Sequence, residues 1–164
     1  MNQITIRAAR QQDFDAILAI NAEGQPGVSA LTRAELVSAL ESGSVWVAEG
    51  TTGLAGYLVA YRSDAVYDGE EFAWFQSRYS PFLYIDQVAV APQQRRAAVG
   101  FQLYQTVERA AREQGLFALV CEVNLEPPNP ISLAFHTRND FHEVGVLDTR
   151  DGRKVTLLLK RLAE

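Results

Sequence analysis

Cysteine is almost missing from this chain: Cys121 is the single one in 164 residues. A disulfide within the chain is therefore excluded, and a reducing compartment is the simple reading. Positive charge is short as well, with 15 Lys and Arg against 20 Asp and Glu and a net charge of −5. Nucleic acids and anionic membranes are drawn to positive fields, so neither is expected as a partner. A cationic small molecule such as an amine is compatible with that sign. No apolar run is long enough to cross a bilayer. The opening Met-Asn-Gln-Ile-Thr-Ile-Arg has no basic stretch leading into an apolar one. No repeat, low-complexity stretch or interdomain linker is visible. These absences lead us to expect a soluble cytoplasmic protein.

What is present is an ordinary globular mix, 48% hydrophobic and 21% charged, able to bury a core without staples. The length fits one domain, 1–164. Ile4 and Ile6 alternate with polar neighbours at the strand period, and Asp13 to Ala22 carries Phe14, Ile17, Leu18 and Ile20 at helical spacing. Gln25-Pro-Gly-Val-Ser reads as a loop. Thr32-Arg-Ala-Glu35 is a capping box that opens a helix ending near Gly43. Two strands, Ser44 to Glu49 and Leu54 to Tyr61, flank Gly50-Thr-Thr-Gly53 as a hairpin. Residues 63–81 break the pattern and read as a long loop rich in aromatics. Phe82 to Val90 is a strand and Ala98 to Gln114 a helix with Val99, Leu103 and Val107 on one face. Phe117 to Val123 is apolar enough for a buried central strand. Asn129-Pro130 opens another helix, to about Arg138. Val144 to Leu147 and Val155 to Leu159, around Asp151-Gly152, make a closing hairpin. The order β-α-α-β-β-β-α-β-α-β-β suggests one sheet covered by helices, an α/β (α+β) arrangement.

One stretch carries chemistry of its own: Val88-Ala-Val-Ala-Pro-Gln-Gln-Arg-Arg-Ala-Ala-Val-Gly100. A strand ends at Val90, a short loop follows, and a helix starts near Ala98. The first turn of a helix presents unsatisfied N–H groups and the positive end of its dipole. Small residues let a phosphate approach that backbone, and Arg95 and Arg96 add charge beside it, so the arrangement suits a pyrophosphate. Arg95-Arg-Ala-Ala98-Val-Gly100 resembles the Gln/Arg-x-x-Gly-x-Gly/Ala signature of the GNAT superfamily of N-acetyltransferases. Arg95 and Gly100 match, and Ala98 replaces the first Gly. Asn129-x-x-Ser132-x-x-Phe135-His136-x-x-x-Asp140-Phe141 resembles the family's second signature, Asn-x-x-Ala-x-x-Phe-Tyr-x-x-x-Gly-Phe. The phrases Trp-Phe-x-x-Arg-Tyr and Phe-Leu-Tyr-Ile-Asp-Gln-Val resemble a subgroup of bacterial members.

The resemblance implies a GNAT-like mixed, mainly antiparallel sheet of about seven strands flanked by four helices. It implies acetyl-CoA as co-substrate, with no metal. Loop amides across Arg95, Arg96, Ala97, Ala98, Val99, Gly100 and Phe101 would bind the CoA pyrophosphate. The backbone of Val88, Ala89 and Val90 would pair with pantetheine, and Asn129 and Ser132 would face the CoA arm. Ala98 is expected in an unstrained helical turn.

Amine acetylation needs a neutral amine, whereas a free alkyl ammonium titrates near ~10.4. A carboxylate, or a water held by one, can take the proton. Asp86 is the first candidate, since an acidic residue here matches a common GNAT position; a structural hydrogen bond or ion pair is the other reading. Glu122 and Asn124 share a strand face and are second choices. His136 stands where many relatives have the Tyr acid for the leaving group; it is either a proton donor or a packing residue. Tyr104 and Tyr84 are possible replacements for that acid. Cys121 lies mid-strand with no activating neighbour and reads as a small hydrophobe rather than a nucleophile. For the acceptor, Tyr67, Trp74, Phe75 and Tyr84 are candidate contacts, as rings that stack on a cation, together with Asn124. These aromatics are equally read as a lid anchored to the core or as a contact in a homodimer. The acceptor is a small amine or a peptide amine. The rival to an enzyme is a non-catalytic acyl-CoA-binding domain on the same fold.

Overall fold

In the computed structural model the strands β1 (Thr5–Ala8), β2 (Ser44–Gly50), β3 (Gly53–Arg62), β4 (Phe82–Val90), β5 (Ala118–Glu126), β6 (His142–Asp148) and β7 (Lys154–Arg161) form one sheet, ordered β1-β2-β3-β4-β5-β7-β6. Residues 3–162 are described, and the side chains of Arg95, Arg96 and Ala97 lie outside that description. The helices are α1 (Phe14–Gly24), α2 (Arg33–Ser42), α3 (Glu70–Tyr79), α4 (Val99–Glu113) and α5 (Pro130–Arg138). The sheet is mostly antiparallel. β4 and β5 are parallel, paired from Phe82↔Ala118 to Tyr84↔Val120. A parallel pair needs a crossover, and α4 supplies it. The final hairpin forms as expected, with β7 inserted between β5 and β6. None of the described helices is long and apolar enough to cross a membrane.

The expected helix starts are realised by the expected chemistry. Thr32 accepts from the Glu35 amide, 3.1 Å, while the Glu35 carboxylate accepts from the Thr32 amide, 2.9 Å. Asn129 caps α5 by accepting from the Ser132 amide, 3.3 Å, with Pro130 in the first turn. α4 ends where Gly115 turns left-handed, φ 71°. The amides of Gly115 and Leu116 there reach back to the carbonyls of Arg112 and Ala111, a Schellman closure.

Segment 63–81 is a correction. It was expected as a loop, but half of it is helix α3. Phe72, Phe75 and Tyr79 fall at i, i+3 and i+7, the spacing of one helix face. Glu70 and Glu71 lie in the first turn and Arg78 in the last, which suits the helix dipole.

The chain divides into two compact units, residues 1–61 with 85–110, and residues 62–84 with 111–164. In the first, α4 packs Val99 and Leu103 on β3 and β4 at Gly56. A Cβ on Gly56 would lie 2.8 Å from the Ala89 carbonyl oxygen, 3.2 Å from Val99 Cγ1 and 3.5 Å from Leu103 Cδ1. In the second, Phe72 and Phe75 of α3 pack edge-on to Phe82, with ring centroids 5.6 and 6.0 Å away. Both rings are buried, and Phe75 has 0% of its surface exposed.

Gly56→Ala tests the first contact. The added methyl meets backbone rather than a movable side chain, so a loss of about 1–3 kcal/mol is expected. It should appear as a lower urea midpoint at unchanged m-value. An unshifted midpoint would show that β3 and β4 separate at no cost.

Candidate active site

In the first unit, β4 runs from fully buried residues to an alternation in which Asp86, Val88 and Val90 are half-buried while Gln87 and Ala89 are buried. The Ala91 amide then donates to the Ala55 carbonyl, 2.8 Å, holding the chain as it leaves the sheet. A 3-10 turn over Pro92–Ala97 follows. Ala98 comes next, with φ 57° and ψ 29°, left-handed. α4 begins at Val99, and its first interior donor, the Gln102 amide, reaches the Ala98 carbonyl at 3.1 Å. The amides of Val99, Gly100 and Phe101 thus stand in the turn where a helix has no internal acceptors. Val99 is buried, Gly100 half-buried and Phe101 exposed. The roles expected of the Arg95, Arg96 and Ala97 side chains lie outside the described residues.

The left-handed Ala98 corrects the expectation of an unstrained helical turn. A left-handed residue with a Cβ costs about 1–2 kcal/mol. Glycine avoids that cost, which gives a backbone reason for the Gly this sequence lacks here.

Asp86 acts on two buried tyrosines. The hydroxyls of Tyr57 and Tyr61 are each pushed up to about 12, first by burial and then, among other effects, by the Asp86 carboxylate. Both stay protonated at neutral pH.

In the second unit the Tyr84 hydroxyl donates to Glu122 Oε1 at 2.6 Å. Tyr84 is buried and ringed by Tyr67, Phe72 and Phe75, with centroids 6.1, 5.6 and 6.4 Å away. Glu122 itself is half-buried. Asn124, two residues on, accepts from Arg153 at 3.1 Å. The same guanidinium donates to Glu71 at 3.2 Å and to Asp151 at 3.0 Å. Arg153 was not singled out from the sequence, because nothing in Asp-Gly-Arg-Lys tells a hairpin arginine from one that anchors α3 and β5.

The remaining expected residues separate into distinct environments. Trp74 is half-buried, with the Arg78 guanidinium 4.2 Å over its ring and Tyr79 beside it at 6.2 Å. Phe75 is core. On α5, Asn129 and Ser132 share the cap, and His136 Nδ1 lies 2.7 Å from the Ser132 carbonyl. A carbonyl only accepts, so Nδ1 carries the proton. His136 is buried, edge-on to Phe135 at 5.4 Å and Phe141 at 5.2 Å. Burial lowers its pKa, partly opposed by the bond to Ser132, so the ring is neutral at pH 7. Cys121 is buried and its thiol is pushed well up, mainly by burial.

A family model described as the acetyltransferase (GNAT) family matches residues 9–141. Among curated protein sequences none matches the chain. Solved structures do. Naa20 from Chaetomium thermophilum, in complex with a bisubstrate analogue, superposes with a TM-score of 0.78 at 21% identity, covering 96% of this chain and 86% of that one. The ribosomal-protein-S18-alanine N-acetyltransferase of Escherichia coli gives 0.75 at 15% identity, over 99% and 96%. The Salmonella typhimurium yncA protein, a putative acetyltransferase with acetyl-CoA, gives 0.72 at 18%, over 98% and 95%. At these identities the likeness is one of fold.

Two outcomes follow from the site's backbone and its histidine. Ala98→Gly should raise stability by about 1 kcal/mol, because relief of the left-handed strain exceeds the entropy that Gly adds to the unfolded chain; a lower urea midpoint would rule out that strain. His136 has a folded pKa below its unfolded value near ~6.5, so the unfolded chain takes its proton first. Its contribution is complete above that value and is lost as pH falls through the folded pKa. Urea midpoints should therefore drop between pH 7.5 and 5.5, and His136→Gln should flatten that drop. An equal drop in the variant would assign it to other groups.

Proposed function

The chain belongs to the acetyltransferase (GNAT) family, and on that premise we propose that it moves an acetyl group from acetyl-CoA onto a primary amine by direct attack, with both substrates bound together. One observation carries the reading. The strand ending in Val90 passes through a 3-10 turn and a left-handed Ala98 into α4, so that the amides of Val99, Gly100 and Phe101 open a long helix. Amides in that position, with the dipole behind them, suit a pyrophosphate. The backbone from Val88 to Val90, where half-buried Val88 and Val90 flank buried Ala89, would lie along pantetheine. In the second unit Asn129 and Ser132, which the family resemblance assigns to the CoA arm, share the cap of α5.

The acceptor arrives as an ammonium and must lose a proton before its lone pair can attack the thioester carbonyl carbon. Asp86 takes that proton, directly or through one water. The C–N bond forms, the C–S bond breaks, and the departing CoA thiolate, with a pKa of roughly 8.5, takes up the second proton that the nitrogen sheds in becoming an amide. Glu122, held by the Tyr84 hydroxyl, is the second carboxylate able to accept a proton. Tyr67 is tilted beside Tyr84, 6.1 Å between ring centroids, and is the aromatic we assign to a cationic acceptor. His136 is left out of the proton path: its ring is neutral and its Nδ1 proton is committed to Ser132. A buried thiol pushed up in pKa argues against an acyl-enzyme on Cys121.

Release of free thiol from acetyl-CoA, followed across amines, amino acids and peptides, tests the reading. Wild type should turn over with at least one acceptor class. Asp86→Asn should lower kcat/KM by about 10²-fold while leaving the acetyl-CoA Kd unchanged. Equal rates in the variant would remove Asp86 as the base. Tight acetyl-CoA binding with no thiol release for any acceptor would favour a non-catalytic binding domain.

A further inference from the structure

The second unit holds an arginine that the proposed chemistry does not use. Arg153 stands where the turn between β6 and β7 ends. Its guanidinium meets three elements at once: Glu71 on α3 at 3.2 Å, Asn124 on β5 at 3.1 Å and Asp151 in its own turn at 3.0 Å. The Glu71 side chain is nearly enclosed, 11% exposed against 33% for Arg153. The turn is braced from within. The Thr149 amide donates to the Arg153 carbonyl at 2.8 Å, and the Arg153 amide donates to the Thr149 hydroxyl at 3.0 Å. The Arg150 amide adds a second tie to the same helix, donating to Glu70 at 3.1 Å. Both acceptors, Glu70 and Glu71, lie in the first turn of α3.

That first turn carries the ring of Tyr67. Gly69 directly precedes α3, and a Cβ on it would lie 2.7 Å from Tyr67 Cε2. The ring thus folds back against the helix start. It meets Phe72, the residue after Glu71, edge-on with 5.3 Å between centroids. Phe72 in turn packs on Tyr84 at 5.6 Å, and the Tyr84 hydroxyl is bonded to Glu122. Residues 63–69 form neither helix nor strand, so fixing a side chain there costs conformational entropy that ladder bonds do not offset. The ring takes its place from the helix it leans on. A helix as short as α3 is marginal alone and depends on tertiary contacts for its own position.

We propose that Arg153 is a positioning residue for the acceptor. By pinning the first turn of α3 to β5 and to the final hairpin, it holds the Tyr67 ring where a cationic amine can stack on it. The inference rests on the acetyltransferase reading for the ligand, though not for the clamp itself. A guanidinium suits the task, because its planar fork donates in several directions and stays charged at any working pH. A lysine offers a point charge on a flexible stem and cannot reproduce the fork.

Three variants of the full chain test it, with the amine that gives the fastest thiol release as acceptor. Arg153→Gln should raise the acceptor KM about tenfold, with kcat and the acetyl-CoA KM within about twofold. The Ala73 amide, which closes the first turn of α3 on the Gly69 carbonyl at 3.0 Å, should exchange about tenfold faster while β5 and β7 stay protected. Arg153→Lys should fall between, with the acceptor KM up about two- to fivefold. Gly69→Ala leaves Arg153 untouched and crowds the Tyr67 ring instead. It should raise the acceptor KM about two- to fivefold with the Ala73 amide still protected. Unchanged exchange at Ala73 in both Arg153 variants would overturn the clamp. Faster exchange there with an unmoved acceptor KM would overturn the role in binding, as would acceptor and acetyl-CoA KM values rising together. If Arg153→Gln does not fold, the Lys and Gly69 variants decide by the same readouts. A wild type that releases no thiol would sink the acetyltransferase reading and the acceptor role with it, whereas exchange at Ala73 judges the clamp separately.

Discussion

Strand β4 and helix α4 both come close to β3 at residue 56, which has no side chain. A Cβ on Gly56 would stand 2.8 Å from the Ala89 carbonyl, at the point where Val99 and Leu103 cover the same surface. That close approach sets the start of α4 directly behind the end of β4, and residues 91–98 have to make the connection. The chain solves this with a bond from the Ala91 amide to Ala55, a 3-10 turn and one left-handed residue. The anion-binding geometry proposed for the amides of Val99 to Phe101 thus follows from a packing constraint on β3. The strain at Ala98 is the local cost of meeting that constraint with alanine.

The second unit solves a different problem, that of holding carboxylates and amides in place beside an aromatic core. Phe72 and Phe75 enclose the ring of Tyr84, so its hydroxyl has few places to point and donates to Glu122. Arg153 does the same by charge: one guanidinium joins Glu71 on α3, Asn124 on β5 and Asp151 in the final turn. Its surroundings are partly buried, where a charge-assisted bond is stronger than on the open surface. Glu122 and Asn124, adjacent on one face of β5, are therefore both oriented by side chains from other elements.

The parts of this architecture that the sequence reveals are those decided within a few residues. The Thr32–Glu35 box, the Asn129-Pro130 start and the two hairpins depend on neighbours and appear where local chemistry puts them. The connection proposed for CoA is legible only as a succession of elements, a strand, a small-residue turn and a helix. Helix α3 was legible in the i, i+3, i+7 spacing of Phe72, Phe75 and Tyr79, but Glu70 and Glu71 before them and Gln76, Ser77 and Arg78 among them mask its face. The rest is decided at long range. Asn21, Tyr57 and Gln87 lie far apart in the chain, yet their buried side chains bond to one another, and each alone reads as an ordinary polar or aromatic residue. The same holds for Arg153, and for the insertion of β7 between β5 and β6. Ala98 is the instructive case: its identity suggests a helical residue, while its backbone is left-handed.

Burial also sorts the groups able to exchange protons. It pushes the thiol of Cys121 and the hydroxyls of Tyr57 and Tyr61 up, and it pushes the imidazole of His136 down. All four are thereby neutral near pH 7, so none of them serves there as a ready anionic base or cationic acid. The carboxylates proposed for the proton transfer, Asp86 and Glu122, are half-buried. For the proposed reaction, which must remove protons from an ammonium, the neutrality of His136, Cys121, Tyr57 and Tyr61 is consistent with carboxylates as the proposed acceptors. That division supports a direct transfer to the amine rather than a route through an enzyme-bound acyl group.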